Sequence, residues 1–150
     1  MTKIDFMKLA LEEAKKAGER DEIPIGALLV DSNNKIIASS GNKVFQKNDP
    51  TAHAEMEVIR IACSIIGSNR LNKCDLYVTL EPCSMCAHAI SLAKIRRLYF
   101  GAFDTKGGGV ENGPSIFNQP NCNYAPQVIG GLYEIESANL LKNFFSKLRL

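Results

Sequence analysis

A chain of 150 residues, 45% hydrophobic and 23% charged, has the size and composition of one ordinary domain with one core, not of a disordered segment. No apolar run approaches the roughly 20 residues of a membrane span, and Met1-Thr2-Lys3-Ile4-Asp5 lacks the pattern of a signal peptide, so a cytoplasmic protein with no membrane partner is expected. A formal net charge of +2 is too weak to indicate nucleic acid by itself.

Phe6, Leu9, Ala10 and Ala14 recur at helical spacing over residues 5 to 17, and Gly18 is expected to end that helix. This part of the chain is acidic, with Asp5, Glu12, Glu13, Glu19, Asp21 and Glu22. Residues 25 to 30 read as a buried strand, 31 to 34 as a turn, and 35 to 39 as the returning strand of a hairpin. Asp49-Pro50-Thr51 carries helix-start signals, and the helix that follows holds Met56, Val58, Ile59 and Ile61 and runs to about Ile66. A strand is expected over 75 to 80, a helix from Pro82 to about Ala93, and a strand over 97 to 101.

The stretch from 103 to 126 holds Gly107-Gly108-Gly109, Asn112-Gly113-Pro114 and Pro120, and is expected to be mostly loop with a short helix near Ser115 to Phe117. A short strand follows at 127 to 131. Ser137 is expected to cap a last helix through Leu140, Leu141, Phe144, Phe145 and Leu148. By spacing, Phe144 and Phe145 belong to the core. The chain closes on a short basic tail with Lys142, Lys147 and Arg149. Strands alternating with helices predict an α/β layered fold with a mixed sheet, and nothing divides residues 1-150 into more than one domain.

The five cysteines are Cys63, Cys74, Cys83, Cys86 and Cys122. An odd count without an export signal argues against a disulfide framework. Only Cys83 and Cys86 are close in sequence, which points to metal binding or redox chemistry. Three residues apart at a helix start, they share one face of the first turn. There the unpaired N–H groups and the positive dipole end favour thiolates, the form that binds metal. His53, also at a predicted helix start, supplies a third ligand. Three protein ligands leave a tetrahedral zinc with one open position, as in catalytic sites. His88, Cys63, Cys74 and Cys122 show no paired spacing that would make a fourth. Glu55 lies two residues after His53, about 200° around an ideal helix, and should approach the water on the metal instead of the metal. A carboxylate there can take and return a proton.

H-x-E followed by P-C-x-x-C some thirty residues later, with a strand between, is the signature of zinc-dependent nucleobase deaminases. Over nearly its whole length the chain resembles the bacterial tRNA-specific adenosine deaminase family, within the cytidine/deoxycytidylate deaminase superfamily. The resemblance lies in Glu22-Ile23-Pro24-Ile25-Gly26-Ala27, Asp49-Pro50-Thr51-Ala52-His53-Ala54-Glu55, and Leu76-Tyr77-Val78-Thr79-Leu80-Glu81-Pro82-Cys83-Ser84-Met85-Cys86. It implies a three-layer α/β/α sandwich around a mixed five-stranded sheet, with one zinc per subunit of a homodimer. It implies hydrolytic deamination of adenosine to inosine at the wobble position (34) of a tRNA anticodon, by zinc-activated water. His53, Cys83 and Cys86 would be the ligands and Glu55 the proton shuttle. Asn42 and Ala54 match positions that contact the target nucleotide, and Asp104 and Lys106 match a loop that lies beside the RNA. Glu81 is expected to brace its loop instead of titrating.

The chain also departs from the family. Asn123-Tyr124-Ala125-Pro126 stands where family members carry a histidine and a basic residue. The alternative readings are a deaminase of a free base, nucleoside or nucleotide (guanine, cytosine or dCMP), a structural-zinc module and a thiol redox protein. Glu55 argues against the structural-zinc module, which has no use for that carboxylate.

Overall fold

The computed structural model describes residues 3 to 148. Arg149, the last residue of the expected basic tail, lies outside them. The elements, in chain order, are α1 (Phe6–Glu19), β1 (Gly26–Val30), β2 (Ile36–Gly41), α2 (Val44–Lys47), α3 (Ala54–Ile66), β3 (Asp75–Leu80), α4 (Ser84–Ala93), β4 (Arg97–Ala102), a 3-10 turn (Ile116–Asn118), β5 (Gln127–Ile129) and α5 (Glu134–Leu148). The strands form one mixed sheet in the order β2-β1-β3-β4-β5. β1 pairs antiparallel with β2 and β3, whereas β3, β4 and β5 run parallel. This is the expected α/β/α sandwich with five mixed strands.

Side chains alternate across the pleat, and this alternation divides the core into two. Ala27, Leu29, Leu76, Val78, Leu98 and Phe100 pack against Val58, Ile59 and Ala62 of α3 and Ala87 and Ile90 of α4. The residues between them, Leu28, Val30, Tyr77 and Tyr99, turn to the other face and meet Phe6, Met7 and Ala10 of α1. Tyr77 and Tyr99, paired in register on parallel strands, stack with ring centroids 4.4 Å apart. Burial on both faces explains why β1 reads as an uninterrupted apolar run.

Several expected boundaries move. α1 passes through Gly18 to Glu19, and the left-handed residue that ends it is Asp21. α3 and α4 begin later than the proline signals indicate, at Ala54 and Ser84, with His53 and Cys83 as their N-caps. α2 is a short helix with no sequence expectation behind it. Ser137 does not cap α5. The helix starts three residues earlier, and Ser137 is buried in it where its hydroxyl closes on Gly101. Phe144 and Phe145 are not core residues: Phe144 is half-buried and Phe145 is 41% exposed, the two rings meeting edge to face. The helix at the chain end lies along the sheet by one narrow face, so helical spacing overstated how much of it is covered. Among the described residues no helix is long and apolar enough to cross a membrane.

Candidate active site

The end of β2, the start of β1 and the carboxyl ends of β3 and β4 share one edge of the sheet, where α/β folds place their ligands. The segments leaving β2 and β3 deliver His53 and Cys83 there as N-cap residues in extended conformation. Neither side chain caps its own helix. Each is thereby free to face the other. The His53 Nδ1 lies 3.6 Å from the Cys83 Sγ and 3.5 Å from the Cys86 Sγ. The three donor atoms all fall within 4.8 Å of one another.

These residues fit a zinc ion. Zn–S bonds near 2.3 Å and Zn–N bonds near 2.0 Å set a tetrahedral N···S edge of about 3.5 Å, the separation found here. The charges fit as well. Contact with Cys86, then with the His53 ring, draws the Cys83 thiol down to about 4 against the effect of burial. That same contact and burial push the Cys86 thiol far up. Two adjacent sulfurs cannot both ionise until a cation lies between them. His53 is raised, first by its contact with Cys83.

Glu55, in the first turn of α3, is buried and stands outside the three-donor cluster. Burial pushes its carboxyl up to about 7, a value suited to exchanging protons near neutrality. Ala54, fully buried, opens the helix between His53 and Glu55, where backbone N–H groups lack intrahelical partners.

Asn42 is not a surface turn residue. It is buried, and its Oδ1 has no hydrogen-bond partner. Its backbone is fixed on both sides: the N–H donates to the Ile25 carbonyl at 3.0 Å, and the carbonyl accepts from Arg20 at 3.3 Å. Next to it, the Lys43 N–H donates to the Ala52 carbonyl at 2.9 Å, tying this segment to the residue before His53. Buried Glu22 accepts from the Phe45 and Gln46 N–H groups at 3.1 and 2.8 Å, and buried Glu57 ion-pairs with Lys47. Sequence reading did not single out Arg20, Glu22 or Glu57. Only the motif around Glu22 could have signalled it, because nothing local distinguishes it from Glu19 and Asp21.

Asp104 and Lys106 sit in the loop after β4. Asp104 turns back into that loop, accepting from the Lys106 and Gly107 N–H groups at 3.1 and 2.9 Å, while Lys106 is exposed. The departing stretch around Tyr124 is tied to α4. Ser91 donates to the Tyr124 carbonyl at 2.6 Å, and the Lys94 ammonium lies over the Tyr124 ring. A groove of about 510 Å³ runs from Ile25 and Leu80 past Phe103 to Lys142 and Phe145 of α5.

A family model of the cytidine and deoxycytidylate deaminase zinc-binding region matches residues 1–102. A tRNA-specific adenosine deaminase of Agrobacterium fabrum is 60% identical over 97% of this chain and 95% of its own. One of Aquifex aeolicus is 45% identical over 99% of this chain and 97% of its own. A solved structure from work on A-to-I editing by tRNA:A34 deaminases at the wobble position of transfer RNA superposes with a TM-score of 0.89 at 61% identity, covering 91% of this chain and 98% of that one. The chain therefore belongs to the zinc-dependent cytidine and deoxycytidylate deaminase family and, within it, to the tRNA-specific adenosine deaminases.

Proposed function

We propose that this protein hydrolyses adenosine to inosine at the wobble position (34) of a tRNA anticodon. The carrying observation is a buried carboxylate, Glu55, beside the His53–Cys83–Cys86 donor cluster, in a chain matching tRNA-specific adenosine deaminases end to end. His53, Cys83 and Cys86 would hold one zinc per subunit. When bound, the ion makes water acidic enough to act as a nucleophile at neutral pH.

Glu55 takes a proton from the attacking water and delivers it to the purine N1 as the C6–O bond forms. It then assists proton transfer to the departing amine, so adenosine and water become inosine and ammonia. The unpartnered Asn42 Oδ1 accepts a hydrogen bond from the target nucleotide, and Ala54 offers backbone at the floor of the site. Asp104 and Lys106 contact the RNA beside it. The target base must leave its stack to enter, which suits a loop nucleotide.

Residues 1-150 form one deaminase domain in this reading, and two such chains form a homodimer. The exposed Ile61 and Ile65 of α3 and Leu92 of α4 are apolar surface that a second copy would cover. The enzyme works in the cytoplasm, in keeping with five free cysteines.

The test is an anticodon stem-loop carrying the wobble adenosine, set against the same loop with guanosine or cytidine there, and against free adenosine, guanine, cytosine and dCMP. Inosine formation on the first alone is expected. Efficient turnover of a free base or nucleotide without turnover of the stem-loop would replace this reading with a small-molecule deaminase.

A further inference from the structure

Glu81 takes no part in the chemistry above, yet it is 2% exposed and its carboxylate accepts five hydrogen bonds, all from one loop. Oε1 accepts from the Asp104 N–H at 3.0 Å and the Asn112 side-chain amide at 2.7 Å. Oε2 accepts from the successive N–H groups of Val110, Glu111 and Asn112 at 3.2, 2.9 and 3.0 Å. Successive amides curved in this way make an anion-binding nest. Here the chain's own carboxylate fills it, and these bonds hold the Glu81 carboxyl below its ordinary value although burial works the other way.

Glu81 directly follows β3 and precedes Cys83 by two residues, so the loop it holds is fastened beside the cysteine pair. The contact is close. The Gly109 N–H donates to the Pro82 carbonyl at 2.8 Å. A Cβ on Gly109 would stand 2.6 Å from the Ser84 nitrogen, and one on Gly108 would stand 2.5 Å from the Glu81 Oε2. The other end of the loop is set by the same carboxylate. Glu81 grips the Asp104 N–H, and the Asp104 side chain in turn fixes the Lys106 N–H at 3.1 Å. Lys106 is thus placed relative to Cys83 through two hydrogen-bonded carboxylates.

We propose that Glu81 is a positioning residue for substrate recognition. It clamps residues 104 to 112 against the first turn of α4, so that Asp104 and Lys106 meet the RNA at a fixed distance from the donor cluster. This rests on the tRNA reading above. The clamp acts on binding of the RNA and leaves metal affinity and proton transfer to other residues.

The test is Glu81→Gln, which keeps the shape but turns an amide NH₂ toward backbone donors. In the zinc-loaded protein, amide hydrogen exchange at Val110, Glu111 and Asn112 should quicken by about tenfold or more. KM for the anticodon stem-loop should rise about tenfold while kcat stays within about threefold and zinc stays near one per chain. Asn112→Ala, which removes one donor and leaves the Glu81 charge in place, should move exchange and KM the same way by a smaller factor. It decides by the same criteria if Glu81→Gln does not fold. Unchanged exchange overturns the clamp. Faster exchange with an unchanged KM overturns its role in recognition. Loss of zinc together with equal losses in kcat and kcat/KM reduces Glu81 to a structural brace. If the parent protein does not deaminate the stem-loop, the tRNA reading and the loop's RNA role fall together, while the exchange result separately shows whether the clamp exists.

Discussion

The Nδ1 of His53 lies 3.6 Å from the Sγ of Cys83, although thirty residues separate them and each caps a different helix. Neither helix end spends its cap side chain on its own backbone, so both are directed at one point. Metal held there should tie α3 to α4. The parent should carry about one zinc per chain, and Cys83→Ala and Cys86→Ala should each lose most of it on metal analysis. Stripping the parent with a chelator should lower its Tm, because an ion that binds the folded site and not the unfolded chain stabilises by mass action. Full zinc retention in both variants would exclude this ligand set.

Glu55→Ala should retain zinc and fold and lose about 10² to 10⁴ in kcat, the usual share of a single acid–base group. The carboxylate is not among the three clustered donors, so its removal leaves the metal site whole. Single-turnover assay of the zinc-loaded variant checks this. Near-normal turnover there would end the proton-shuttle role.

Asn42→Ala separates binding from stability. The buried Oδ1 makes no hydrogen bond in the free protein, so removing it should change unfolding free energy by no more than about 1 kcal/mol. The same change should lower kcat/KM for the stem-loop by about tenfold or more, because a hydrogen bond to the nucleotide is lost. A variant that loses stability and keeps its kcat/KM would make Asn42 a structural residue.

Salt should distinguish RNA from small substrates. Exposed Lys106, Lys142 and Lys147 border the groove beside α5 or lie further along that helix, and contacts to phosphate release counterions. KM for the stem-loop should therefore rise steadily between low and high salt. Equal salt response on a neutral nucleoside would show that phosphate contacts contribute nothing.

The chemistry of the site was open to sequence reading because it is local. His53 and Glu55 lie two apart, Cys83 and Cys86 three apart, and each pair falls at a helix start whose dipole and free N–H groups act within one turn. The strands were legible for a similar reason, since burial on both faces leaves apolar runs such as 26 to 30. Helix ends were less so. Gly18, Pro82 and Ser137 are local signals, and the helix ends fall elsewhere: α1 continues one residue past Gly18, Cys83 caps α4 after Pro82, and Ser137 lies buried inside α5 with its hydroxyl against Gly101. The supporting residues were legible only in part: Glu81 was expected to brace its loop, but not which groups it would hold, and Glu22 stood out only as part of a motif. Nothing in composition or spacing separates Glu22 from Glu19, or Glu81 from any carboxylate that ends a strand. Their partners are backbone amides 23 and more residues away, brought within reach only when the sheet edge assembles. Sequence alone named the candidates for binding metal and moving a proton, and three of them, His53, Cys83 and Cys86, come together in the fold. Tertiary structure decided which loops are held beside them, because a buried carboxylate finds its donors through the fold and not along the chain.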